Sequence, residues 1–143
     1  MISNTCKTAI RAVIYLASKR PASEKVGIVE IAKQIDVSEH TLGKILQALV
    51  RHNVINSTKG PSGGFYLTED QTDQPIMNIV EAVDGKMAFK ECGLGLSKCS
   101  ENHPCPIHHI YKEGRQIIEN LFKENRVKDL CLPVNEKIAY LIG

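Results

Sequence analysis

The sequence predicts a mainly α-helical chain with one small β-hairpin, and three observations predict it. Apolar residues recur at helical spacing in several segments, two of those segments are joined by a three-residue turn, and a glycine-rich stretch separates two short β-prone runs. With 43% hydrophobic, 24% charged and only 5% aromatic residues, the composition is that of a globular chain rather than a disordered tail or a membrane span. At 143 residues there is room for one compact domain with an appended helix.

The first helix is predicted to start at Ser3 or Thr5 and to end near Lys19, where Arg20-Pro21 and Ala22-Ser23 break the pattern. Ile10, Val13, Ile14 and Ala17 form one stripe, and Tyr15 and Leu16 widen it, so this helix is expected to be largely buried. Its apolar run from Ala9 to Ala17 is interrupted by Arg11 and reads as a helix, not as a signal peptide. No stretch approaches the ~20 apolar residues needed to cross a bilayer, and a cytoplasmic location is expected.

A second helix over Ile28 to Ile35, the turn Asp36-Val37-Ser38 and a third helix from Glu39 to about His52 read as a helix-turn-helix. Ser38 is placed to cap the third helix. Leu42, Ile45, Leu46, Leu49 and Val50 point inward, which leaves His40, Lys44, Gln47 and Arg51 as a polar and basic stripe outside. Then comes Val54-Ile55-Asn56-Ser57-Thr58, the turn Lys59-Gly60-Pro61-Ser62-Gly63-Gly64 and Phe65-Tyr66-Leu67, a strand-turn-strand pattern that reads as a wing. The whole is the order of a winged helix-turn-helix DNA-binding domain, in which the third helix enters a major groove. Ser38, His40, Thr41, Lys44 and Gln47 are the candidates for groove contacts. Arg51 and Lys59, with the wing residues Gly60, Pro61, Ser62 and Gly63, are assigned to the backbone or to close approach. Charge supports this: residues 1–66 carry nine Lys or Arg against four acids, a net +5, whereas the remainder carries nine against twelve, a net −3.

A further helix from about Pro75 to Val83 leads through Asp84-Gly85 into a cysteine-bearing loop, and Pro106 opens a long helix reaching about Glu124. Ile107, Ile110, Tyr111, Gly114, Ile117, Ile118, Leu121 and Phe122 follow at steps of three and four, a stripe long enough to expect a second copy of the same helix against it. The expected organisation is a DNA-binding domain over residues 1–85, a cluster-binding loop over 86–105, and a dimerisation helix and C-terminal segment over 106–143. The last segment, with Cys131, Pro133 and Ile138-Ala139-Tyr140-Leu141-Ile142, carries no functional signal.

Five cysteines in a reducing compartment, three of them within fourteen residues, point to metal or redox chemistry rather than to structural disulfides. Cys92, Cys99 and Cys105 stand seven and six positions apart, wider than the short cysteine pairs of zinc modules, and the wider spacing leans toward an iron-sulfur cluster. For a fourth ligand the residues leave three alternatives: His108 one turn into the following helix, His103 inside the loop, or Cys6 of a partner chain. His109 reads as solvated, and Cys131 as core or inert surface. No other catalytic constellation accompanies the cysteines, so an enzyme is not expected. A structural zinc site in the same DNA-binding module, or a redox or electron-transfer iron-sulfur protein, are the alternative readings.

These elements together resemble a family, the Rrf-two type winged-helix transcription regulators typified by the iron-sulfur cluster regulator IscR and the nitric-oxide-sensitive repressor NsrR. The resemblance is carried by Ala9 to Leu16, Val29 to Leu49, the wing from Lys59 to Leu67, Ile79-Val80-Glu81-Ala82-Val83-Asp84-Gly85, the three cysteines and the long helix. It implies a homodimer on a palindromic double-stranded DNA operator, a [2Fe-2S] or [4Fe-4S] cluster on Cys92, Cys99 and Cys105, and His108 as the fourth ligand of some members. It further implies a repressor whose operator affinity changes on cluster loss, oxidation or nitrosylation. In the nitric-oxide-sensing branch an acid early in the partner's first helix can complete the cluster. Here that region reads Cys6-Lys7-Thr8-Ala9 and the first acid is Glu24, which favours His108. A glutamate that sorts operators in the cluster-biogenesis branch is replaced by Gly43.

Overall fold

A computed structural model describes residues 1–96, 100–135 and 140–141 of the chain. The elements are α1 (Asn4–Ala17), α2 (Ile28–Ile35), α3 (Glu39–Arg51), β1 (Asn56–Thr58), β2 (Gly64–Tyr66), α4 (Glu69–Thr72), α5 (Met77–Asp84), α6 (His108–Glu124) and α7 (Val127–Asn135). Among the described residues no helix is long and apolar enough to cross a membrane.

α1 begins where the sequence places it, because the Ser3 hydroxyl accepts from the Cys6 amide and satisfies a donor that the first turn leaves open. Cys6, Ala9, Ala12, Val13 and Leu16 are fully buried along it, and α2, α3, α5, α7 and β2 all pack against this one helix. Ala9 and Ala12 are small and leave room for close neighbours. Polar pins lock α2 onto it: the Tyr15 hydroxyl donates to Glu30 Oε1 at 2.5 Å, Lys19 Nζ lies 3.1 Å from the same oxygen, and Arg11 Nη1 donates to the Ile35 carbonyl at 3.3 Å. Hydrogen bonds from Tyr15 and then Lys19 hold the Glu30 carboxyl below its usual pKa.

The turn between α2 and α3 is made by Asp36 in the left-handed region at φ 55°, a conformation that Asp tolerates better than most residues. Ser38 then caps α3, accepting from the Thr41 amide at 3.2 Å. Leu42, Leu46 and Leu49 are fully buried in the core shared by α1, α2, α3 and α5. β1 and β2 pair antiparallel with Asn56 opposite Tyr66 and Thr58 opposite Gly64. Val26 bridges Phe65 on the other edge of β2, with backbone bonds of 2.9 and 2.8 Å. Gly64 is required there, since a Cβ would stand 2.8 Å from the Val26 carbonyl oxygen and the residue sits at φ +152°.

The structure adds two helices to the sequence reading. α4 is closed by a capping box between Thr68 and Gln71, and the buried Gln71 side chain donates to the Asn53 carbonyl and to Asn56 Oδ1, anchoring the base of the hairpin. α7 returns to pack on α1, with Val127 and Cys131 buried in the main core. Two starts also shift: α5 begins at Met77 rather than Pro75, and α6 at His108 rather than Pro106, because the residues before each form a tight turn first. Replacing Leu46 by Ala removes a fully buried side chain from the centre of this core and is expected to cost roughly 2–5 kcal/mol of unfolding free energy in urea denaturation.

Candidate nucleic-acid interface and cysteine site

Two surfaces carry the residues that the sequence singles out. On the first, His40, Thr41, Lys44, Gln47 and Arg51 are all exposed on the outer face of α3. Ser38 is exposed at its start, but its hydroxyl is committed, donating to Thr41 Oγ1 at 2.9 Å while accepting from the Thr41 amide. Lys59, Gly60, Pro61 and Ser62 are exposed at the hairpin tip and Gly63 is half-buried. The tip is shaped by backbone contact: a Cβ on Gly63 would come within 2.1 Å of the Thr58 carbonyl oxygen, and Gly60 adopts φ +97°. Lys25, outside the residues that the sequence singles out, stands 6.0 Å from the centre of the Tyr66 ring of β2.

On the second surface, Cys92 and Cys105 come together, their sulfurs 3.8 Å apart. Both are half-buried and reduced. A disulfide would need ~2.05 Å. Around a tetrahedral ion with metal–sulfur bonds of ~2.3 Å, two thiolates stand about 3.8 Å apart, so this pair has the separation of ligands that share one metal. The backbone amides of Leu94 and Leu96 hydrogen-bond the Cys92 sulfur, joined by Cys105 and by the amide of Gly95, and hold its pKa below that of an ordinary thiol. The donor set is therefore two soft sulfurs, one of them biased toward thiolate, which fits a thiophilic metal or cluster.

Cys99 lies outside the described residues. His108 is buried at 4% exposure on the first turn of α6, its ring edge-on to His109 with centroids 5.3 Å apart, while His109 and His103 are exposed. Among the described residues no three His, Cys, Asp or Glu side chains converge on one point, so His108 does not complete a three-ligand group with Cys92 and Cys105 there. Cys6 is fully buried against Met77, Val80 and Phe89, and burial and then the Asp84 charge push its thiol up to about 12. Cys131 is core, raised to about 11 by burial.

The long apolar stripe expected on α6 divides into two. Tyr111, Ile118 and Phe122 turn toward their own chain, with the Phe122 ring 5.6 Å from Phe89. Ile110, Ile117 and Leu121 are exposed by 82%, 69% and 52%, and Gly114 lies between them.

These environments give the thiols separate pH profiles. In reduced, metal-free protein, Cys92 is expected to react with iodoacetamide at lower pH than an ordinary thiol, since a lowered pKa populates the thiolate sooner, whereas Cys6 and Cys131 stay protected until the fold opens. Peptide mass spectrometry across pH reads the order. Equal labelling of Cys6 and Cys92 in folded protein would contradict it.

Comparison with known proteins places the chain. Over residues 2–133 it matches the Rrf2 family, Iron-dependent Transcriptional regulator. It is 34% identical over 145 residues to an HTH-type transcriptional regulator of Aquifex aeolicus, covering 100% of this chain and 99% of that protein. It is 22% identical over 134 residues to the HTH-type transcriptional regulator NsrR of Oceanobacillus iheyensis, covering 93% of this chain and 90% of that protein. Among solved structures, CymR, the global cysteine regulator of B. subtilis, superposes with a TM-score of 0.74 at 19% identity, over 92% of this chain and 96% of that one. T. potens IscR gives 0.72 at 16%, over 97% and 91%. At these identities the structural likeness speaks for the winged-helix fold alone. Family match and full-length relative together make the chain a member of the Rrf2 family of DNA-binding, helix-turn-helix transcription regulators, which are not enzymes.

Proposed function

We propose that this regulator is a cytoplasmic homodimer, acting as a repressor, that senses iron-sulfur status, redox stress or nitric oxide through a cluster held by Cys92, Cys99 and Cys105 with His108 as fourth ligand. The observation that carries the reading is the Cys92–Cys105 pair, two reduced sulfurs 3.8 Å apart. When bound, an iron-sulfur cluster supplies electron transfer and reactivity toward oxygen and nitric oxide. The chain's own residues would bind and orient it: Cys92 and Cys105 present sulfurs 3.8 Å apart, and His108 lies on the first turn of α6, its amide bonded to the Cys105 carbonyl. The division into a DNA-binding domain over 1–85, a sensing loop over 86–105 and a dimerising segment over 106–143 follows from these roles.

A second copy is the natural occupant of the exposed stripe of Ile110, Gly114, Ile117 and Leu121, which one chain leaves in water. Two copies would present two α3 helices to successive major grooves of a palindromic operator. His40, Thr41, Lys44 and Gln47 are assigned to base edges, with Ser38 fixing the start of the helix, and Arg51, Lys59 and the wing from Gly60 to Gly63 to the backbone.

The pair separation suits zinc as well as iron, and metal analysis separates them. Protein purified without oxygen is expected to show visible charge-transfer bands with matching iron and sulfide. Colourless protein with stoichiometric zinc would instead make the loop a structural site and remove the sensing mechanism. On the DNA side, Arg51→Ala is expected to weaken binding to every sequence and to reduce the salt-dependence slope by about 1, whereas Lys44→Ala costs about 1–3 kcal/mol at the operator and relaxes base preference. Salt titrations on operator and random duplex check both, and unchanged affinity in the two variants would place the DNA elsewhere.

A further inference from the structure

The loop that carries Cys92 and Cys105 is fastened to α6 at both of its ends, by contacts that do not involve either thiol. We infer that Tyr111 and Arg115 are positioning residues that clamp the Cys92 arm of the loop onto α6, and so set Cys92 against Cys105 before any metal or cluster is taken up. The inference rests on the reading of this loop as the cluster site and names what aligns it.

Cys92 is bracketed. On its N-terminal side, Arg115 Nη1 donates to the Glu91 carbonyl at 2.6 Å, a short charge-assisted bond. On its C-terminal side, the Tyr111 ring lies so close to Gly93 that a Cβ there would stand 2.5 Å from Tyr111 Cε2 and 2.6 Å from Cδ2. Gly93 is not among the glycines with positive φ, which are Gly60, Gly64, Gly85 and Gly95, so the ring and not the backbone conformation is what bars a side chain. The two clamping residues support each other, the Arg115 guanidinium carbon standing 5.7 Å from the Tyr111 ring centre.

The other arm is registered to the same helix. The His108 amide donates to the Cys105 carbonyl at 2.9 Å, and Lys112 pairs with Glu101. His108 and Lys112, like Tyr111 and Arg115, are four residues apart, so each pair occupies successive turns of one helix. The loop's own bonds, such as Gly95 amide to Cys92 carbonyl at 3.0 Å, shape the turn around Cys92 but relate it to nothing beyond itself. The sulfur separation of 3.8 Å is therefore inherited from a rigid helix through Tyr111 and Arg115 on one arm and His108 and Lys112 on the other.

The test uses the full chain, reduced and metal-free, titrated anaerobically with Co2+ while thiolate-to-cobalt absorption is followed. Arg115→Gln, Tyr111→Ala and Gly93→Ala are each expected to weaken Co2+ binding by about 10–100-fold, the usual effect of losing a group that orients ligands. In the Tyr111→Ala background, where the ring is gone, Gly93→Ala is expected to add no more than about twofold, a non-additivity that follows from direct contact. An equal loss from Gly93→Ala in both backgrounds, or an Arg115→Gln affinity within about twofold of the parent, overturns the inference. If the parent chain takes up no Co2+, the ligand reading fails on its own. Hydrogen exchange of residues 91–95 then decides the clamp: faster exchange in Arg115→Gln with α2 and α3 unchanged supports it, and unchanged exchange overturns it.

Discussion

α2, α3, α5, α7 and β2 are all located by their contact with α1. These five elements pack on that helix, along which Ala9 and Ala12 are small and fully buried. Leucine at either position would hold a neighbour off by the length of a side chain, and overpacking of that kind typically costs about 1–3 kcal/mol. The polar pins act on the same helix. Tyr15 and Lys19 take Glu30 at the start of α2, and Arg11 takes the last carbonyl region at its end. With α2 fixed at both ends, the Asp36 turn sends α3 away at one angle, and the exposed face of α3 is the consequence.

α6 does two jobs on two faces that are about 100° apart, the rotation between neighbouring helical residues. Ile118 and Phe122 close a small second core with Cys6, Met77, Val80 and Phe89, and Tyr111 and Arg115 meet the loop. The next face over, through Ile110, Ile117 and Leu121, remains open. Ile117 and Ile118 are adjacent in sequence yet belong to different surfaces. A helix so divided joins whatever covers its open face to the loop held on its closed one.

That division also shows what sequence could and could not disclose. The helix-turn-helix was legible because each of its parts has a local signal: a cap at Ser38, inward leucines at helical spacing, and a three-residue turn. The wing was legible from glycines whose necessity is steric and local, as at Gly63 and Gly64. The cysteine loop was visible as spacing, and Cys92 and Cys105 do meet. Cys99 lies outside the described residues. What remained hidden depends on non-local packing. Eight apolar residues on α6 read as one stripe because spacing records position around a helix, not which neighbour arrives. α4 carried its capping box, Thr68 and Gln71, in plain view but was too short for periodicity to register. α7 has Pro133 inside it, which argues against a helix until Val127 and Cys131 are seen sealing the core against α1. Tyr111 reads only as a stripe member and Arg115 carries no signal, since their contact with Gly93 and Glu91 is set by the path of the loop.

The second core links the two candidate surfaces. Phe89 leads into the loop three residues before Cys92, and it packs on Met77 and Val80 of α5 and on Phe122 of α6. α5 has a second face, where Ile76, Ile79 and Ala82 join the main core, and through it α5 packs against α3. α5 is thus a short helix shared between the core beside the cysteine loop and the core that carries α3. Contiguous packing of this kind transmits a change only if the shared element has two arrangements to choose from. α5 spans eight residues and is tied at both ends, Asn78 donating to Gln74 Oε1 near its start and Asp84 accepting from the Ser3 amide and hydroxyl at its end.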